Sequence, residues 1–350
     1  SIANYCGATH SIAVNSATSA LHIACISLGL GLGDWLWTSP NTFVASANCG
    51  RYCGAKVDFV DIDPKTYNMS VDALSEKLIQ AEKLGKLPKI VIPVHFAGQP
   101  CDMPSIYALS KKYGFKVIED ASHAIGASYK KIKVGSCAHS DITVFSFHPV
   151  KIITSAEGGM ALTNDKEIAD KIFRLRTHGI TNDKKKMKKQ SEDEIWNYQQ
   201  IDLGFNYRMN DIQAALGLSQ MKRLDKFVKR RHKIAKYYNA KLNGLPLTLP
   251  WQSPSTYSSY HLYPILVKSS LGAKTQKQVY NELRKNDIAA NLHYIPVHRH
   301  PYYENLGFKK NDFPNAEKFH KEVISIPMYA ILKDIHQKHV VKILKKVMIS

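Results

Sequence analysis

The run Phe145-Ser146-Phe147-His148-Pro149-Val150-Lys151-Ile152-Ile153-Thr154-Ser155-Ala156-Glu157-Gly158-Gly159 decides how the chain folds. It continues an apolar strand that begins at Ile142, breaks at Pro149, and resumes after the Gly-Gly pair as a second apolar run, Met160-Ala161-Leu162. One lysine, Lys151, stands in the connection. A lysine just past a strand end, among apolar and small residues, can lose its proton because desolvation disfavours the ammonium. The free amine can then attack a carbonyl. Taken by itself, Lys151 also reads as a lysine whose stem snorkels to the surface.

Two earlier stretches bear on that choice. In Lys116-Val117-Ile118-Glu119-Asp120-Ala121-Ser122-His123-Ala124 a buried strand ends in an acidic pair. An aspartate at the carboxyl end of a parallel strand faces the crevice where open α/β sheets bind ligands; alone, Asp120 also reads as a helix cap. In Asn15-Ser16-Ala17-Thr18-Ser19-Ala20-Leu21-His22 small hydroxylated residues open an apolar helix. Its free N–H groups and positive dipole end suit a phosphate, though a plain Ser/Thr cap has the same look. A phosphate cradle, an acid at a strand end and a downstream lysine together make the parts of a site for pyridoxal 5'-phosphate (PLP). The lysine holds the cofactor covalently, the acid pairs with the pyridinium nitrogen, and the helix end holds the phosphate.

The order NSATSALH, IEDASHAIG, FSFHPVKIITSAEGG, GFNYRMNDIQAALG resembles the DegT/DnrJ/EryC1/StrS family of sugar aminotransferases, from Tyr5 to near the C-terminus. Within it, SSYHLYPIL and LHYIPVHRHPYY are similar to the members that make UDP-4-amino-4,6-dideoxy-N-acetyl-β-L-altrosamine for pseudaminic acid. The resemblance implies an α/β fold-type I PLP transferase: a mostly parallel, seven-stranded-type sheet with helices on both faces, over residues 1–243, and a smaller C-terminal α+β domain over 244–350. It implies that Lys151 carries PLP and that Ala17, Thr18, Phe43, Asp120, His123 and Ser146 bind it, Phe43 by stacking. Asn206 and Arg208 would reach the cofactor of the other subunit of a homodimer. His148, His293, Tyr294 and His298 would face the substrate, with His148 read as shaping the site. The implied reaction moves an amino group from an amino acid, glutamate, to C4 of a UDP-linked 4-keto-6-deoxy sugar. Some relatives are 3-dehydratases in which histidine replaces the lysine; Lys151 argues for a transaminase. Amination at C3, or of a dTDP- or GDP-sugar, stays open, with residues 177–200 and 251–261 expected to decide.

Composition narrows the class. An apolar fraction of 44% with 22% charged residues fits a globular protein, and no run approaches the roughly 20 apolar residues of a membrane span. The net charge is +19, from 48 basic and 29 acidic residues. Nucleic-acid binding on a degenerate enzyme fold is the rival of another class, but the lysines are scattered apart from the run at 184–189, and no nucleic-acid motif accompanies them. A basic cleft for a sugar diphosphate, or plain basicity of the source proteome, accounts for them. Neither a nucleic-acid nor a membrane partner is expected. The six cysteines lack metal-site spacing, and free thiols in a cytoplasmic enzyme are expected. Ser1-Ile2-Ala3-Asn4 has no basic or apolar leader pattern. It also lacks a starting Met, and relatives carry some tens of residues ahead of the Tyr5 equivalent, so a preceding segment is expected.

Along the chain, strands are expected at 10–14, 34–38, 56–61, 89–94 and 116–120, alternating with helices at 17–28, 39 onward, 71–83 and 104–113. Such alternation indicates a parallel sheet with right-handed crossovers. His95, just past a strand, is left between a cofactor contact and a structural role. Helices follow at 166–176, 211–224 and 226–242, with a polar loop at 177–200. In the last third, strands are expected at 261–267 and 289–294 and helices at 274–285, 317–323 and 335–348, with an irregular loop at 296–301.

Overall fold

Short apolar runs alternating with helical repeats bury sheet at the centre and put helices outside. The computed structural model describes residues 1–189, 197–268 and 274–349. Its central sheet has seven strands: β1 (His10–Val14), β2 (Trp35–Thr38), β3 (Lys56–Phe59), β4 (Ile90–Ile92), β5 (Lys116–Asp120), β6 (Ile142–Ser146) and β7 (Gly159–Thr163). Their order is β1-β7-β6-β5-β4-β2-β3. β7 is antiparallel to both its neighbours and the remaining pairs are parallel. Every residue of β4 and β6 is buried, as a sheet covered on both faces requires.

Alternate residues of the strands feed two cores. Leu36, Ile90, Ile92 and Ile118 pack with the helices Ala17–Ser27, Ala45–Tyr52 and Lys166–Leu175. Trp37, Val91 and Val117 pack with the helices Val71–Lys83 and Met103–Tyr113 on the other side. A smaller antiparallel sheet follows: β8 (Leu247–Thr248), β9 (Tyr263–Val267) and β10 (Val323–Ile326). It is covered by helices Gln276–Lys285 and Asp334–Ile349. The long helix Leu224–Leu242 belongs to both bodies: Leu224 and Val228 pack beside Phe147 and Ile153, whereas Ile234, Tyr238 and Leu242 join the smaller core. Val297, Tyr303, Phe313 and Phe319 return to the large core around Phe59 and Ile62. No helix among the described residues is long and apolar enough to cross a membrane.

Several elements differ from the sequence reading; the expected loop 177–200 carries a two-stranded ladder, Ile180–Thr181 with Gln199–Gln200, and Val323, expected to end a helix, opens β10. The helix expected from Ser39 begins at Ala45, because Asn41 N–H is taken by Ser39 Oγ and Thr42 Oγ1 reaches Ser46 instead of a backbone partner. The strand expected at 289–294 is reduced to one bridge, Asn291 with Ser325. Beyond it Leu292 N–H bonds the Asn291 side chain, and the chain leaves the sheet edge. Residues 190–196 of the expected loop lie outside the described residues.

Candidate active site

The carboxyl ends of β5 and β6, the start of the helix Ala17–Ser27 and the turn 293–294 meet around one cleft of about 300 Å³. Its position at the carboxyl ends of parallel strands is where open α/β sheets bind ligands. Lys151 reaches it from the connection between β6 and β7. That connection is pinned at its base, where Phe147 N–H bonds Gly158 O at 2.8 Å and Ser155 N–H bonds Phe147 O at 3.0 Å. The Gly-Gly pair is needed for close approach: a Cβ on Gly159 would lie 2.4–2.5 Å from the backbone of Ser16 and Ala17. The lysine hairpin and the helix start are thereby pressed together.

At the helix start, Ser16 caps by accepting Ser19 N–H at 3.1 Å, and Ser19 Oγ donates to Asn15 Oδ1 at 2.6 Å. Ala17 and Thr18 line the cleft, and their N–H groups meet no acceptor among the described residues. They form an anion cradle. Asp120 is buried; its Oδ2 accepts from Ser46 Oγ at 2.6 Å and its Oδ1 from Ser122 N–H at 3.1 Å. Phe43 lines the cleft with 59% of its surface exposed, a free aromatic face. Ser146 also lines it.

Burial pulls the Lys151 ammonium down to about 8, with the Asp120 carboxylate acting the other way. His123 is buried; its Nε2 is 3.1 Å from Tyr294 Oη, and its Nδ1 has no partner. Burial, then Lys151 and His293, hold its imidazole well below the ordinary histidine range. His293, bonded through Nδ1 to Ser325 Oγ at 2.9 Å, is pulled to about 4 by burial and then by Lys151. Burial, reinforced by Asp120, pushes the Tyr294 phenol up, so it stays protonated.

The cleft thus gathers Ala17, Thr18, Phe43, Asp120, His123, Ser146, His148, Lys151, His293 and Tyr294. His148 is half-exposed at the rim, 3.7 Å from Glu157. His298 is not among them. Its side chain is buried, with Nε2 3.1 Å from Glu317 Oε1 and its ring against Phe313. An apolar neighbourhood and a carboxylate partner make it a structural residue and correct the substrate role expected for it. His95 resolves the same way: its Nδ1 accepts Cys101 N–H at 3.0 Å, so Nε2 carries the proton given to Glu119 Oε2 at 2.7 Å.

Asn206 and Arg208 do not line this chain's cleft. Tyr207 between them is tied inward, its N–H to Arg176 O and its hydroxyl 3.2 Å from His22 Nδ1. Neighbours on either side of an inward residue in extended chain point outward, and both are exposed. The sequence reading passed over Ser46, whose hydroxyl bonds Asp120 from outside the cleft lining, and Thr42, which lines the cleft and bonds Ser46. The signal available was a pair of hydroxyl residues four apart in an otherwise buried segment.

The donor set fits PLP on this structure's own terms: an amine of lowered basicity, a buried carboxylate with spare acceptor capacity, an open N–H cradle and an exposed aromatic face share one cleft. Comparison with known proteins agrees. The UDP-4-amino-4,6-dideoxy-N-acetyl-beta-L-altrosamine transaminase of Campylobacter jejuni serotype O:2 is 37% identical over 94% of this chain and 82% of its own length. Helicobacter pylori PseC, an aminotransferase involved in pseudaminic acid biosynthesis, superposes with a TM-score of 0.88 at 32% identity, over 99% of this chain and 89% of that one. The sugar aminotransferase Spr1654 of Streptococcus pneumoniae, in its PLP form, gives a TM-score of 0.86 at 28% identity over 99% and 89% of the two chains. With residues 1–345 matched by the DegT/DnrJ/EryC1/StrS aminotransferase family, the chain belongs to that family and is a PLP-dependent sugar aminotransferase.

Proposed function

We propose that the protein moves an amino group from L-glutamate to C4 of a UDP-linked 4-keto-6-deoxy-N-acetylhexosamine, in the making of pseudaminic acid or a related surface sugar. The observation that carries the chemistry is Lys151, partly neutral at pH 7, in one cleft with Asp120 and the N–H cradle. The substrate class rests on the similarity to the C. jejuni transaminase along nearly the whole chain.

When bound, PLP supplies an electrophilic carbon and a ring that takes up electrons. The N–H groups of Ala17 and Thr18, the Thr18 hydroxyl and the Ser146 hydroxyl hold its phosphate. Phe43 covers one ring face. Asp120 would pair with the pyridine nitrogen and hold the proton there. Lys151 Nζ takes the proton from the donor's α-carbon as general base and returns a proton as general acid. His123 orients the ring edge through its pairing with Tyr294, while His148, His293 and Tyr294 border the space left for the sugar. Donor and acceptor react in turn, so the kinetics are ping-pong.

The working unit is a homodimer with shared sites, in the cytoplasm. The helix Asp211–Met221 has no buried residue, and Ile212 and Leu218 are 84% and 54% exposed. Leu203, next to the Asn206–Arg208 turn, is 81% exposed. Large apolar side chains left exposed in this segment mark an interface, which would carry Asn206 and Arg208 to a neighbouring cleft. The reading is tested by incubating the PLP-loaded protein with [15N]glutamate and the UDP-4-keto sugar. Mass spectrometry and NMR should find 15N at C4. Label at C3, or none, would refute the assignment.

A further inference from the structure

Asp120 is held by two donors, and one of them is itself held. Ser46 is wholly buried, Thr42 nearly so. The carboxylate is an acceptor only, so the single hydroxyl hydrogen of Ser46 goes to Asp120 Oδ2 across 2.6 Å. The Ser46 oxygen must then accept, and Thr42 Oγ1, 2.8 Å away, is its donor. The chain of hydroxyls therefore has one direction, Thr42 to Ser46 to Asp120. Both hydroxyls come from one short stretch, the turn and first helical residues on either side of Phe43, so the aromatic cleft wall and the clamp on the acid are built together.

We propose that Ser46, oriented by Thr42, is a positioning residue for amino transfer. It fixes the Asp120 carboxylate in one rotamer, so its remaining acceptor capacity is left for the pyridine nitrogen of the cofactor. This rests on the PLP reading of Asp120 given above. Ser46 touches neither cofactor nor substrate; it acts through Asp120.

The test measures the dissociation constant for PLP and the pH dependence of the bound cofactor's visible absorption, in the full chain, for wild type, Ser46→Ala, Ser46→Thr, Thr42→Val and Asp120→Ala, with Ser46→Ala also made in the Asp120→Ala background. Thermal unfolding of each cofactor-free protein is recorded alongside. Ser46→Ala should weaken PLP about tenfold or more, the size of one lost hydrogen bond to a charged group, and shift the absorption profile. Thr42→Val should do so less, and Ser46→Thr should restore both. In the Asp120→Ala background Ser46→Ala should add nothing, since the effect runs through the carboxylate. PLP affinity and spectrum within twofold of wild type in Ser46→Ala would overturn the proposal. So would an additive loss in the double variant, or a loss of affinity that merely tracks a drop in cofactor-free stability. If wild type itself failed to bind PLP, the reading of the cleft would fall before that of Ser46.

Discussion

The lowered basicity of Lys151 has a consequence that can be measured without substrate or cofactor. With its ammonium at about 8 instead of the ordinary 10.5, about 9% of the amine is neutral at pH 7. An unperturbed lysine would be about 0.03% neutral, a ratio near 300. Burial sets the direction, and the Asp120 carboxylate opposes it. Replacing Asp120 by Asn removes the opposing charge at nearly constant shape, so the Lys151 midpoint should fall further, even though the variant holds PLP less well. Competitive acylation of the cofactor-free protein with isotopic acetic anhydride, across a pH series, reads the neutral fraction at each lysine by mass spectrometry of its peptide. The Lys151 peptide should titrate near 8 in wild type and lower in Asp120→Asn. A wild-type midpoint at or above 10, or an upward move in Asp120→Asn, would refute the electrostatics. The sign carries over to stability. Between about 8 and 10.5 the unfolded lysine keeps a proton that the folded one has released, so the cofactor-free fold gains stability as pH rises through that window.

Gly159→Ala should weaken PLP by displacing the helix start, because the new Cβ would meet the Ser16 and Ala17 backbone; equilibrium binding checks it, and unchanged affinity would disprove the close-approach argument. His298→Ala should cost about 2 kcal/mol of stability, since it opens a cavity and strips a partner from Glu317, yet leave PLP affinity as it was, read by chemical denaturation and cofactor titration. Co-expressed Lys151→Ala and Arg208→Ala chains should show about a quarter of wild-type activity. Half of randomly assorted dimers are mixed, and each mixed dimer has one intact site of two; no activity would place both residues in the same chain's site.

Much of the site was legible because its residues sit at element boundaries, where sequence punctuation is strongest. Asp120 and Ser146 end strands, Ala17 opens a helix behind a Ser cap, and Lys151 lies between a proline and a glycine pair. These are local signals. The errors came from contacts made across the chain. His298 and His293 stand in one motif, five residues apart, but β10 supplies Ser325 to the one while the helix Pro314–Glu322 supplies Glu317 to the other. Nothing in the local run distinguishes them. The strand expected at 289–294 has the right residues for one, but only a single bridge to Ser325 is made. The Thr42–Ser46–Asp120 chain was invisible for the same reason, since Ser46 and Asp120 are 74 residues apart.

The charges around the cleft lead to one more expectation. Burial holds His123, His261 and His293 below the ordinary histidine range, and the nearby Lys151 deepens each shift. The imidazoles are therefore neutral at pH 7 and do not balance a phosphate. Among the described residues, Lys151 is the sole lysine or arginine lining the cleft, and it is committed to the carbonyl end. Within one chain the phosphate thus meets N–H groups and hydroxyls but no second lysine or arginine of the cleft lining. Arg208 of the second subunit, carried on the segment with the exposed apolar side chains, would supply one. A dimer broken by Ile212→Glu with Leu218→Glu should then bind PLP at least tenfold more weakly. It should bind pyridoxal, which lacks the phosphate, much as wild type does. Sedimentation establishes the oligomeric state, and titration with both ligands gives the comparison. A monomer that binds PLP as tightly as the dimer would show that the helix start suffices. A monomer that loses both ligands equally would show that the interface shapes the cleft as a whole and adds no charge for the phosphate.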